Sequence, residues 1–393
     1  MTSTAISCDA LVVGGGVAGL FVLDALCARG LSALLIERTA LGSGQTTASQ
    51  GILHAGVKYA LAGAIGEDAR QVSAASALWT ARLAAPTGDL CAVKKLSDSC
   101  YLWRSKGIRG MVALAAATHA LTTRPRRVAI AKRPSWLSEV AGDVLELPES
   151  VIDPRSLLEE LARPHTQQIG LGKVVHVHRD GGALEISLDT GSATTVRCEQ
   201  LILAAGAGNE ALALLAGSPT PMQRRPLRQA LLRGKLPLAF GHCIDGSKTR
   251  ITVTSERLSS GEVVWNIGGQ LAEVGATMSA SEFERHARNE IESALPGLVL
   301  TGCTFASLLV DRAEPMTPGG GRPACAYAHT TDRVTTLWPV KLVLAPKIAA
   351  DVAARIAMNL TRHVNAVVEW PREVPRPPLA DRPWQHASWS ALQ

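Results

Sequence analysis

Hydrophobic positions divide this chain into elements before any other feature does. Residues 9–37, DALVVGGGVAGLFVLDALCARGLSALLIE, hold an apolar run ending at Val13, a glycine turn, an apolar stretch of helix length and a second apolar run ending at Glu37. That order predicts strand, turn, helix and strand, a βαβ unit. Residues 68–83 and 108–121 predict helices, with a loop and strands from Thr87 to Arg104. VIDPRSLLEELARP, 151–164, predicts a helix with Asp153 as N-cap and Pro154 in the first position. A carboxylate that accepts orphan N–H groups and a proline without an N–H both suit a helix start. Alternating strands are expected at 173–179, 183–188 and 193–198, and EQLILAAGAG (199–208) is expected to be a buried strand running into small residues. From 226 to 267 strand patterns dominate, in LRQALLRG, LPLAFGHC, TRITVTS and EVVWNIGG. Helices are expected again at 281–294 and 344–360, and the tail from Trp370, rich in Pro and Trp, is expected to be irregular.

Length changes this picture by requiring more than one core. A chain of 393 residues with 47% apolar residues defaults to two domains. The net charge is +6 and the pI about 9.0. The basic residues are scattered apart from RPRR (124–127) and QRRPLR (223–228), which argues against nucleic-acid binding and fits a small anionic substrate. The eight cysteines form no CxxC pair, so free thiols of a reducing compartment are expected. The N-terminus lacks the basic start and cleavage site of a signal peptide. No run of about 18 uncharged apolar residues predicts a spanning helix. The expected location is cytoplasmic, either free or peripheral at the inner face of a membrane.

The chemistry begins at the glycine turn. Gly14, Gly16 and Gly19 form GxGxxG between a strand and a helix, and Glu37 closes the second strand. In a Rossmann-type unit the first glycine allows the tight turn, the second lets a pyrophosphate approach, and the third lets helix and strand pack closely. The helix N-terminus favours the phosphates, and the terminal acid accepts from the adenosine ribose. LGSGQTTASQGILHAG (41–56) follows directly and offers backbone N–H groups and hydroxyls to a pyrophosphate or a flavin ring. No second GxGxxG occurs, which argues against two similar dinucleotide domains. HVH at 176–178 has ligand-type side chains without a third partner, so no metal site is expected and the strand is better placed on the adenine side.

With GGGVAGL…IE, the small-residue loop and LILAAGAG in place, the chain resembles the FAD-dependent oxidoreductases of the D-amino-acid oxidase superfamily. ASQGILHAGVKY resembles the loop of FAD-dependent glycerol-3-phosphate dehydrogenases and of L-2-hydroxyglutarate dehydrogenases and oxidases. The resemblance spans 9–59 and returns at 151–162, 173–208 and 308–350; it is loose over 86–145 and 210–300. It implies an α/β fold with a Rossmann-type FAD-binding domain and an interleaved antiparallel β-rich substrate domain. The implied FAD-binding segments are 1–85, 145–215 and 308–370, the substrate segments 86–144 and 216–307, with a tail at 371–393. FAD is the implied cofactor. Its implied contacts are Gly14, Gly16, Val17, Ala18, Gly19, Glu37, Arg38, Thr46, Thr47, Ser49, Gln50, Gly51, Val174, Val175, Ala205, Gly206 and Leu342.

The implied reaction moves hydride from a substrate C–H to flavin N5, with His54 as the base that takes a hydroxyl proton. LLVDRAEPMTPGGG (308–321) resembles the segment that carries an Arg into the substrate pocket, here Arg312. Lys341-Leu342 matches a Lys-Leu pair of the glycerol-3-phosphate branch, and Lys58 fills that branch's basic phosphate position. Each has a plainer alternative. His54 could be a structural histidine, Lys58 a solvated one, and Arg312 the partner of Asp311 or Glu314. Lys341 lies in the apolar run WPVKLVLAP, where a charge is costly unless it meets an anion. Tyr59 fits packing better than catalysis, and Trp265 and Trp338 fit either core or pocket wall. The expected partners are a small anionic substrate and an electron acceptor that is oxygen, a quinone or a carrier protein; a membrane-surface or homo-oligomer contact stays open. Two rivals remain: amine oxidation in the same superfamily, and a flavin-binding assembly subunit without turnover.

Overall fold

The computed structural model describes residues 5–54, 67–84, 86–104, 125–245, 248–360 and 367–392. The opening unit forms as its pattern predicts: β1 (Ala5–Val13), α1 (Val17–Cys27) and β2 (Ala33–Glu37). Helix α1 buries Val17 to Leu23 and Leu26, as expected of a helix that is apolar on nearly every side.

β1 lies inside an eight-stranded sheet whose main path runs Tyr327–Thr331, Val334–Trp338, Ala193–Leu203, β1, β2, Ile169–Leu171. β1 is parallel to Ala193–Leu203 on one side and to β2 on the other. Ala183–Asp189 and Lys173–Asp180 fold back from Ala193–Leu203 as antiparallel strands. A ligand crevice is expected beyond the carboxyl ends of such parallel strands, and Val13, Glu37 and Leu203 mark those ends.

The second sheet has nine strands, with Thr304–Pro315, Met222–Gly234, Val263–Gly268, Lys248–Arg257 and Gly241–Asp245 as its antiparallel centre. The helix Ala280–Ala294 covers it with Phe283, Ala287, Ile291 and Ala294, spaced for one helical face. Ser279 and Glu282 close its N-terminus as a capping box, satisfying two orphan donors reciprocally. The chain alternates between the sheets, so each sheet takes strands from separated stretches of sequence.

Several elements differ from their predicted form. LPLAFGHC does not begin a strand at Leu236; the strand starts at Gly241, since Pro237 has no N–H for a ladder and its carbonyl accepts from Trp265 Nε1 at 2.7 Å. In 151–164 the helix Pro154–Ala162 forms as predicted, with Pro154 at its start and Asp153 as N-cap, whose side chain accepts from the Arg155 N–H. Val151–Ile152 before it is a short strand against Lys95–Ser97. The tail is tied down along its length: Trp370 is buried with Nε1 donating to the Leu35 and Gln168 carbonyls, Leu379 bridges Leu41, Arg382 pairs with Asp153 and Glu256, and Ser390–Ala391 joins the edge of the second sheet. The helix expected at 108–121 lies outside the described residues. None of the described helices is long and apolar enough to cross a membrane.

Candidate active site

A cavity of about 1420 Å³ opens at the carboxyl end of β1 and runs to the inner face of the second sheet. Its walls include Gly14, Gly16, Val17, Ala18, Glu37, Arg38, Thr46, Ser49, Gln50, Gly51, Val174, Val175, Ala205, Gly206 and Leu342. Fifteen of the seventeen residues expected to contact FAD thus line this cavity, among many others that the sequence does not single out. Two residues depart from it. Thr47 is absent from the wall because its hydroxyl turns back to the Gly42 carbonyl at 3.1 Å. Gly19 is also absent, held under the turn, where a Cβ would lie 1.9 Å from the Gly14 carbonyl oxygen.

The wall fits FAD by its own chemistry. Gly16 caps α1 without any side chain of its own, and the Val17 N–H donates to Thr46 Oγ1 at 3.2 Å, so it is the positive end of the helix that favours a pyrophosphate here. Glu37 lies at the end of β2, mostly buried, with its carboxylate accepting from the Gly15 N–H at 2.6 Å and the Thr39 N–H at 2.9 Å. Ser49 Oγ and Gln229 Oε1 are buried on the wall without hydrogen-bond partners among the described residues. Buried polar atoms in that state favour a ligand that satisfies them.

His54 lies at the inner part of the same wall, and chain pairing explains its place. Gly51 has φ +67 and sits so close that a Cβ would meet the Ile152 carbonyl oxygen at 2.0 Å. The Ile152 N–H donates to the Gly51 carbonyl and the Leu53 N–H to the Ser150 carbonyl. Ile52 bridges Val151 in antiparallel register, which brings His54 opposite Glu149. His54 Nδ1 is 3.2 Å from Glu149 Oε2, with the carboxylate fully buried and the imidazole 18% exposed. His242 approaches the same oxygen at 3.9 Å through Nε2, and its Nδ1 is 2.9 Å from Thr252 Oγ1 on the neighbouring strand. The two imidazole rings are 5.4 Å apart. These three residues are the described group whose ligand-type atoms all lie within 4.8 Å of one another; HVH at 176–178 forms no such group.

Two cations face the cavity as expected, each on a defined support. Arg312 Nε is 3.1 Å from Glu314, and its guanidinium donates to the Val340 carbonyl at 2.7 Å. Glu314 is buried and also takes a two-pronged contact from Arg225. The ion-pair and cavity readings of Arg312 therefore hold together. Lys341 is buried, with Nζ donating to the Ala324 carbonyl at 2.9 Å. Lys58 and Tyr59 lie outside the described residues. Trp265 is core, while Trp338 is buried on the wall and donates from Nε1 to the Gly206 carbonyl. The basic clusters are engaged internally: Arg126 with Glu146, Arg127 with Asp143, Arg225 with Glu314.

Glu149 and His242 escape sequence reasoning. LELPES gives Glu149 the look of a solvated turn residue. His242 carries a usable signal, a polar side chain inside the apolar run LAFGHCI, where a buried imidazole needs a partner.

Comparison with known proteins agrees with this geometry. The DAO family, FAD dependent oxidoreductases, matches residues 9–300. A probable FAD-dependent oxidoreductase of Pseudomonas aeruginosa is 35% identical over 391 residues, covering 98% of this chain and 99% of the relative. Its crystal structure superposes with a TM-score of 0.82 at 32% identity, covering 98% of this chain and 99% of that one. Glycine oxidase from Geobacillus kaustophilus shares the fold at a TM-score of 0.64 and 16% identity, over 92% and 97% of the two chains. L-α-glycerophosphate oxidase from Mycoplasma pneumoniae, solved with FAD bound, does so at 0.66 and 16%, over 95% and 99%. With the dinucleotide cradle, the cavity and this full-length similarity in agreement, the chain belongs to the DAO family of FAD-dependent oxidoreductases.

Proposed function

We propose that this FAD-dependent oxidoreductase acts on the CH–OH group of a small anionic hydroxy compound, a 2-hydroxy acid or a glycerol-3-phosphate-like molecule. The observation that carries the reading is one cavity wall shared by the His54 imidazole and several cations, Arg312 and Lys341 among them. A carboxylate or phosphate is attracted by the cations, which fix the orientation of the carbon to be oxidised. His54 takes the hydroxyl proton, so the O–H bond breaks as the carbon becomes a better hydride donor. FAD, when bound, supplies the hydride acceptor. The cavity exceeds the usual volume of a small-ligand pocket, roughly 300–1,000 Å³, and so has room for a dinucleotide and a substrate together.

The test is anaerobic bleaching of the flavin absorbance by three panels: 2-hydroxy acids, glycerol 3-phosphate and amino acids. Bleaching by a hydroxy compound is the expected result. Bleaching by amino acids alone would overturn the CH–OH reading and remove the need for a base at His54.

A further inference from the structure

Glu149 is a carboxylate with no exposed surface, its Oε2 facing two adjacent imidazoles, behind the residue assigned as base. A buried carboxylate is costly unless hydrogen-bonded and balanced by positive charge. Partners within reach include His54 Nδ1 at 3.2 Å and His242 Nε2 at 3.9 Å. The first is a hydrogen-bond distance; the second is a through-space electrostatic contact. His242 is itself fully buried and anchored to Thr252, and the Thr252 carbonyl accepts from Gln50 Nε2 at 2.9 Å. The whole group is thus tied to the cavity wall by the second sheet and by the loop that carries His54.

We propose that Glu149 is the positioning residue for His54, holding Nδ1–H so that Nε2 is the nitrogen presented to the substrate hydroxyl, with His242 beside His54 facing the same carboxylate oxygen. The inference rests on the proposed role of His54 and adds the means by which that role is set. Hydrogen bonding at one ring nitrogen decides which tautomer is present. When Nε2 takes the proton, an imidazolium forms beside an anion in a dry site. The O–H bond breaks, the N–H bond forms, and the positive charge created is met by a negative charge already in place. The other charged groups that share the wall with His54 include Lys248, Glu273, Arg312, Arg322 and Lys341. The cations among them oppose an imidazolium, which makes the buried carboxylate the group that favours it.

The experiment uses FAD-loaded protein labelled with ¹⁵N in histidine and compares wild type with Glu149→Gln and Glu149→Asp. Loss of a cross-peak in His54→Gln assigns His54. In wild type the neutral ring is expected to carry its proton on Nδ1. In Glu149→Gln the titration midpoint of His54 is expected to fall by about one pH unit, the scale of one lost charge contact, and Glu149→Asp is expected to restore part of it. A proton on Nε2 in wild type, or an unmoved midpoint in Glu149→Gln, would overturn the proposal. The tautomer reading needs only wild-type protein and the His54→Gln assignment, so it decides the matter even if Glu149→Gln fails to retain FAD. A zinc ion retained at one per chain by wild type and lost in Glu149→Gln would also overturn it, in favour of a metal centre.

A second readout follows the rate of flavin reduction against pH with the substrate found by bleaching. Glu149→Gln is expected to move the ascending limb to lower pH and reduce the plateau roughly 10–100-fold, with retained flavin absorbance showing an intact fold. If amino acids alone bleach the flavin, the CH–OH reading fails while the histidine spectra still decide the role of Glu149.

Discussion

At the residue scale the site consists of charges set on prepared supports. His54 stands against Glu149, and Arg312 against Glu314 and the Val340 carbonyl. His54→Asn should keep FAD bound and slow anaerobic flavin reduction by roughly 10²–10⁴-fold, the scale of a lost general base; stopped-flow absorbance checks it, and an unchanged rate would remove the assignment. Lys341→Met removes one charged donor from the wall without a large change in volume. A charged hydrogen bond contributes about 1.5–3 kcal/mol, so half-saturating substrate should rise roughly 10–100-fold, read from the concentration dependence of bleaching. His54 could be singled out because it lies in a small-residue loop directly behind a dinucleotide turn, where a side chain is placed close to the cofactor cradle. Glu149 was not, because what makes it unusual is its burial, and burial at a turn is created by residues far away in sequence.

At the element scale, helix α1 does two jobs. Its N-terminus faces the cavity, and its packing on β1 depends on Gly19, where a Cβ would overlap the Gly14 carbonyl oxygen. Gly19→Ala should shift the turn, cost about 1–3 kcal/mol by overpacking and reduce retained flavin, measured by thermal unfolding and by the flavin-to-protein absorbance ratio. Its far end is clamped through Asp24, which meets His165 at 3.1 Å and Arg82 at 2.8 Å. Burial alone would lower the basicity of His165, but the hydrogen bond to Asp24 prevails and pushes it up to about 10. Asp24 is held below its ordinary value by the same contacts with His165 and Arg82, which outweigh its own burial. The signs define a window. The His165 contribution is complete below about pH 6.5, the unfolded value, and is lost as pH rises through about 10. The Asp24 contribution is present above about pH 4 and is lost as pH falls further. Asp24→Asn should therefore cost about 1.5–3 kcal/mol at pH 6, and the difference from wild type should shrink toward pH 10 in denaturant melts.

At the scale of the whole molecule, the site exists because the chain passes repeatedly between two sheets. Distant segments complete single contacts: Gln50 reaches the Thr252 and Asn266 carbonyls, Gln229 reaches Ala48, and Trp370 reaches Leu35. Trp370→Ala should cost about 3–5 kcal/mol, as for other large buried aromatics, and should release the tail to proteolysis; an unchanged melting temperature would show that the tail is only an appendage. By itself the sequence determined the βαβ unit, the glycine turn, and which small-residue loop, histidine and cations, His54, Arg312 and Lys341, to look for on the cavity wall. These follow from periodicity and from local chemistry, which act between neighbours in the chain. Only the tertiary structure decided that Val151 pairs with Ile52 and so brings Glu149 to His54, that His242 reaches the same carboxylate oxygen, and that Gln229 meets Ala48. Those outcomes depend on which buried polar group finds which partner, and partners separated by tens to hundreds of residues leave no local pattern to read.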